Sequence, residues 1–186
     1  MYLEHFIWSA AFAIIVGVIV ERRWGYSLPI WIICASAMLP DIDYLIQTIM
    51  YPLMFIFPIF NPLFITHGDF HNIVAVIILS LLFAWLLNKY MKIDYNNAFI
   101  CLILGCIFHI FCDYIVYTAT FHVIAPRFGY ELVGIGILPE RGTLYGLGEP
   151  IIFAVGILCL IIALSIKFYY LENKWIEDIS VVCEEF

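Results

Sequence analysis

THGDFHNIVAVIILSLLFAWLLN, residues 66–88, decides how this chain is read. Its longer part, Ile73–Asn88, contains no charged residue, and Pro150–Ile166 repeats that pattern further along. With their flanks, these runs approach the ~17–25 apolar residues that cross a bilayer as a helix. The whole chain agrees with its part. The 186 residues are 65% hydrophobic and 12% charged, with a mean hydropathy of +1.04. A soluble domain carries about a quarter charged residues. The reading is a polytopic membrane protein of the all-α class, a single domain over residues 1–186.

Working outward, about five spans are expected, near 5–22, 25–40, 71–88, 95–117 and 150–169. The first apolar run, Phe6–Val20, is flanked by Glu4 and His5 and followed by Glu21-Arg22-Arg23-Trp24, so it reads as a retained span rather than a signal peptide. Residues 44–70 are apolar but carry Pro52, Pro58 and Pro62. Each proline removes a helical hydrogen bond, and freed backbone cannot face lipid. That segment is expected as interfacial or re-entrant half-helices. Residues 118–149 hold Arg127, Glu131, Glu140, Arg141 and Glu149 and are expected as an ordered outer loop. Residues 170–186 read as a short acidic tail.

With this span order, Arg22, Arg23, Lys89, Lys92, Lys167 and Lys174 fall on one side and Arg127 and Arg141 on the other. The positive-inside bias then places the N-terminus outside and the C-terminus in the cytoplasm. The formal net charge is −7, and no basic patch points to nucleic acid. Cys34, Cys101, Cys106, Cys112 and Cys159 sit in apolar runs without a C-x-x-C pair, as small core residues do.

The same topology gathers the polar residues. His5 opens the first span, and Asp41 and Asp43 close the second. His67, Asp69 and His71 open the third, and His109 and Asp113 lie near the end of the fourth. His122, Glu131, Glu140 and Glu149 fall in the outer linker, so all five histidines share one face. His67/His71 and His109/Asp113 are i,i+4 pairs, which on a helix stand about 5–6 Å apart at Cβ. A charged Asp at membrane depth costs at least ~2.5 kcal/mol. Asp113, between Cys112 and Tyr114, therefore calls for a compensating partner. A divalent metal supplies one, and His with Asp ligands suit zinc, manganese or iron. Blander roles stay open at this point. His109 with Asp113 could brace two helices or relay protons, Asp41 and Asp43 could cap a helix, and Asp69 could be a solvated loop acid.

The ordered set is an early His5, Leu-Pro-Asp-Ile-Asp at 39–43, His-Gly-x-x-His at 67–71, and His109-x-x-x-Asp113. It resembles the YdjM-like family of inner-membrane proteins regarded as metal-dependent hydrolases. The order is also similar to that of the zinc-dependent phospholipase C and single-strand nuclease superfamily, which hydrolyses phosphoesters with a zinc cluster on a helical core. The resemblance spans roughly residues 5–118. It implies metal ligands at His5, Asp41, a histidine of the 67–71 element, His109 and Asp113, with Asp113 bridging. His71, at the helix start, is the surer ligand, and His67 is a second ligand or a substrate contact. The family usually shows H-R-G-x-T-H-S. Here the Arg is missing, the spacing is one shorter, and Asn72 replaces the Ser. No H-x-x-x-E follows downstream, so one or two ions are expected, zinc first and manganese next.

The expectation is a membrane-embedded hydrolase of a phosphoester, including a lipid-linked one, with Asp41 or Asp43 as general base. Arg127 and Arg141 are the candidates to hold an anionic substrate group. The alternative is a non-catalytic scaffold or regulatory protein with a structural metal. A metal transporter is weaker, because the inner halves of the spans hold only scattered Ser, Thr and Cys.

Overall fold

The computed structural model describes residues 2–56, 69–116, 120–122, 124, 131–133 and 150–184. In chain order these form α1 (Tyr2–Trp24), α2 (Ile30–Ser36), α3 (Ile42–Ile56), α4 (Ile73–Met91), α5 (Tyr95–Val116), β1 (Thr120–His122), β2 (Glu131–Val133) and α6 (Pro150–Glu184). Four stretches are long and apolar enough to cross a membrane: Glu4–Trp24, Ile73–Met91, Tyr95–Tyr114 and Ile151–Asn173. Burial in the described residues is inverted relative to a soluble protein. Ile78, Leu82, Trp85, Leu158 and Ile161 are exposed, whereas His5, Asp41, Asp43, His71, His109 and Asp113 are buried. Lipid as the surrounding solvent accounts for both halves of that pattern.

The segment expected as a span over 25–40 takes another route. Its helix, α2, has seven residues, about 10 Å at 1.5 Å per residue against a hydrocarbon core of about 30 Å. Pro29 stands at its N-cap, and a turn follows from Ala37 to Asp41. The path has a geometric reason. His5, near the start of α1, and Asp41 meet in one cluster, while Gly25 follows the last turn of α1. Residues 25–41 must climb back along α1 by about 28 Å, and a continuous helix over them would reach only about 24 Å. The non-helical stretch 26–29, which rises more per residue, makes up the difference. Gly25 starts the reversal with a φ of +65° and donates its N–H to the Glu21 carbonyl, the position where a residue without Cβ costs least.

α2 is held between α1 and α5. Ser36 Oγ donates to the carbonyls of Ile33 and Cys101, and Cys106 Sγ donates to the Ser36 carbonyl. Ala13, Leu28, Ile32, Ile33, Ala84, Ala98, Cys101 and Leu102 form the apolar core that joins α1, α2, α4 and α5. Cys101, Cys106 and Cys112 are buried and free, as small core residues.

α3 is one helix with Pro52 inside it, and residues 57–68, with Pro58 and Pro62, lie outside the described residues. α6 starts beside the first turns of α1, where Trp8 Nε1 donates to the Ile152 carbonyl. It remains helical to Glu184, through most of the stretch expected as an acidic tail. The bundle is all-helical. Within the 118–149 linker the described residues add one small antiparallel ladder, in which Thr120 pairs with Val133 and His122 with Glu131.

Gly105 shows how close α5 lies to α2. A Cβ there would overlap Ser36 Oγ and the Ile33 carbonyl oxygen, backbone that cannot yield. At Gly17 a Cβ would meet only the flexible end of Ile30. Gly105→Ala is expected to destabilise by about 1–3 kcal/mol and Gly17→Ala by clearly less. Thermal unfolding of the two variants in detergent checks the order.

Candidate metal centre

Four separate elements deliver the cluster. α1 presents His5 in its first turn. The turn after α2 presents Asp41, and the first turn of α3 presents Asp43. His71 directly precedes the N-cap of α4, and α5 carries His109 and Asp113 one turn apart. The α4 entry is fixed locally. Asn72 Oδ1 accepts from Ala75 N at 2.9 Å, and its Nδ2 donates to the Asp69 carbonyl at 2.7 Å. Asn is among the best N-cap residues because its short side chain satisfies an orphan helical N–H. The cap sets the direction in which His71 leaves the backbone.

The side chains converge on a small volume. His71 Nε2 lies 3.1 Å from His109 Nε2. Asp41 Oδ1 is 3.3 Å from His71 Nε2 and 3.6 Å from His109 Nε2. Asp113 Oδ2 is 3.3 Å from His71 Nε2 and 3.2 Å from His109 Nε2. The other Asp113 oxygen, Oδ1, is 3.2 Å from His5 Nε2. The His5 ring stacks on His109, with centroids 4.3 Å apart and planes at 27°. Two overlapping groups, His5/Asp41/His109 and His71/His109/Asp113, could each hold a metal ion.

The spacing is informative. Charge-assisted N–H···O bonds close to about 2.7–2.9 Å. The Nε2–carboxylate separations here run from 3.2 to 3.6 Å, and two imidazole nitrogens face each other at 3.1 Å. Ligands that sit about 2.0–2.1 Å from one tetrahedral ion stand about 3.3–3.4 Å from each other. The donor set therefore fits a shared cation better than a hydrogen-bonded brace. Asp113 directs one oxygen to His5 and the other to His71 and His109, the arrangement of a bridging carboxylate.

Asp43 stands apart from this convergence. It is 0% exposed, and its Oδ2 lies 3.8 Å from His71 Nδ1, the ring nitrogen that faces away from the cluster. A carboxylate behind a ligating imidazole fixes its orientation and raises its basicity.

Electrostatics outside the spans follow from the same contacts. Burial opposes a charge on His71, but the Asp113 and Asp41 carboxylates outweigh it and lift its pKa to about 9. Burial likewise opposes the charge on Asp41, yet the hydrogen bond from His71 and the nearby His109 and His5 hold its carboxyl below the ordinary range. A raised pKa contributes stability that is fully present below the unfolded value of 6.5 and is lost as pH rises through about 9. The Asp41 contribution has the opposite sense. It is present above the unfolded value of 3.8 and is lost as pH falls below it. Chelator-treated protein is expected to unfold at progressively lower temperature as pH rises from 6.5 to about 9. The decline should be absent in His71→Gln. An unchanged melting temperature over that window in the parent protein would contradict this assignment.

The structure brings His5, Asp41, His71, His109 and Asp113 together and sets Asp43 behind them. His67, Arg127 and Arg141 lie outside the described residues, as do Glu140 and Glu149. The backbones of His122 and Glu131 are paired in the ladder. The Asp69 carbonyl serves the Asn72 side chain. Two residues escaped the reading of the sequence. Glu4 appeared as a flank charge, yet it is buried beside His5. Asn72 appeared only as a departure from a motif, although an Asn directly before a long apolar run is itself a helix-start signal.

A helical bundle with lipid-length spans and a buried His/Asp cluster at one end defines a polytopic membrane protein with a metal-competent core. The family model of the YdjM inner membrane protein matches residues 1–175, and the chain belongs to that family. No curated protein and no solved structure matches it. The likeness to the zinc-dependent phospholipase C and nuclease superfamily rests on motif order alone.

Proposed function

We propose that the protein is a membrane-embedded, metal-dependent hydrolase of phosphoesters. The observation that carries this reading is the set of five buried donors at ligand-to-ligand spacing, with one carboxylate reaching both sides of the cluster. Histidine and carboxylate donors suit zinc first and manganese next. A single tetrahedral ion that took four of the donors would be closed, whereas two ions sharing all five retain open positions. A divalent ion bound there supplies Lewis acidity for a phosphoryl oxygen and brings the pKa of a water ligand to about 7.

The chain's own residues supply the rest. Asp41, held ionised by its histidine neighbours, accepts a proton from the attacking water. The water oxygen forms a bond to phosphorus, the phosphorus–oxygen bond to the leaving alkoxide breaks, and the proton passes to that alkoxide. Asp43 acts as a positioning residue, because it is fully buried on the far side of His71. Arg127 and Arg141 are assigned to the anionic group. The linker that carries them leaves α5 just beyond Asp113 and rejoins the bundle at Pro150, two residues before Ile152 meets Trp8. The distribution of Lys and Arg supports an orientation with this end of the bundle and the N-terminus on the outer face and the C-terminus in the cytoplasm.

Transport is disfavoured by what lies deeper in the bundle, where Ala13, Leu28, Ile32, Ile33, Ala84 and Leu102 pack together. A structural metal that braces the helices is the second reading, favoured by the burial of every donor. Purified protein reloaded with zinc or manganese, assayed on nitrophenyl phosphate mono- and diesters, separates the two. Turnover is expected, with kcat lowered about 100-fold or more in Asp41→Asn and bound metal lost in Asp113→Ala. Full metal occupancy without turnover of any phosphoester would establish the structural role instead.

A further inference from the structure

Beside the metal centre lies a cavity of about 590 Å³, lined by Leu39, Ile42, Leu45, Thr48 and Phe83, with Asp41 also on its wall. Its size is that of a ligand site. Its chemistry is lopsided. Most of the side chains are apolar; besides Asp41 the described lining carries two hydroxyls, of Tyr44 and Thr48, and that of Thr48 donates to the Tyr44 carbonyl at 2.9 Å. Among the described residues Asp41 is the single charged group on the wall, and it also belongs to the His/Asp cluster.

The position of the cavity names its surroundings. Phe83 is on α4, a membrane span, about 15 Å along the axis from the helix start at 1.5 Å per residue. The wall therefore reaches from the level of the cluster well into a hydrocarbon layer of about 30 Å. Leu45 and Tyr44 on its wall are half exposed, so the cavity opens to the surface of the bundle. A molecule that fits has a hydrocarbon chain in the groove and, at the Asp41 end, an anionic group for the cation that Asp41 and its neighbours would hold.

We infer that the α3–α4 groove seats the hydrocarbon chain of a lipid phosphoester whose headgroup reaches the metal centre from within the bilayer. The inference rests on the hydrolase reading for its headgroup and on the groove for its chain. Hydrocarbon is no better solvated in the groove than in the bilayer. The groove's contribution is therefore orientation, which sets the ester bond against the cluster.

A hexadecyl phosphate analogue with a diazirine on its chain tests this on the metal-loaded, full-length protein in nanodiscs. Labelled peptides are mapped by mass spectrometry, and hydrolysis of nitrophenyl phosphate is followed in parallel. Label should concentrate on residues 38–48 and on Phe83. Hexadecyl phosphate should compete at roughly tenfold lower concentration than hexadecanol. Leu45→Trp, which fills the groove without touching a metal donor, should remove most of the groove label and keep metal content and nitrophenyl phosphate hydrolysis. Label spread evenly over the lipid-facing sides of α4 and α6, unaltered by Leu45→Trp, overturns the groove even where nitrophenyl phosphate is cleaved. Groove-specific, phosphate-dependent label with no hydrolysis of any phosphoester leaves the groove as a lipid-phosphate site and removes the hydrolase reading.

Discussion

Burying carboxylates together at one end of an apolar helix bundle is the constraint from which the rest of this structure follows. Asp41, Asp43 and Asp113 are all buried, in a chain whose outer surface is largely hydrocarbon. A buried carboxylate is costly unless it is paired, and removing one partner of a buried charged set leaves the others exposed to that cost. The three imidazoles answer it in part. Nε2 atoms and carboxylate oxygens stand 3.1 to 3.6 Å apart, a spacing that ligands of one cation could also adopt. A cation shared by the cluster would compensate Asp41 and Asp113 at once.

The requirement reaches into the fold. Asp41 must return to the level of His5 after α1 has carried the chain away from it, and this forces the broken route through residues 25–41. α2 can be short because it is held closely against α5, by Ser36 bonded to the Cys101 carbonyl and by Gly105 that lets the two backbones approach. Asn72 has the same office on α4. It closes the first turn and so fixes the departure of His71. Packing, capping and chain path thus all serve one cluster, and the groove along α3 and α4 begins at one of its members.

The spans at 73–91 and 151–173 were legible in the sequence because no charge interrupts Ile73–Asn88 or Pro150–Ile166. The convergence was legible from topology, since helices that alternate direction bring the start of one beside the end of the next. His109 and Asp113, one turn apart, needed no more than helical spacing. Other features were hidden for physical reasons. An apolar segment such as 25–40 is compatible with a straight helix until the distance it must cover is known, and that distance depends on which residues meet. Asp41 and Asp43 are two residues apart, and composition cannot tell the one facing the cluster from the one behind His71. Glu4 looked like a flank because a charge next to a span usually snorkels to water, whereas here it is buried.

X-ray absorption at the zinc edge of the reloaded protein tests the account most directly, because it reports the ligand atoms themselves. The cluster predicts a first shell of nitrogen and oxygen only, at about 2.0–2.2 Å, with the outer-shell scattering of at least two imidazoles. Cys101, Cys106 and Cys112 are buried in the same bundle and offer the competing ligand. A sulfur shell at about 2.3 Å, or protein that keeps no stoichiometric metal, would contradict the assignment of His5, Asp41, His71, His109 and Asp113 as the centre.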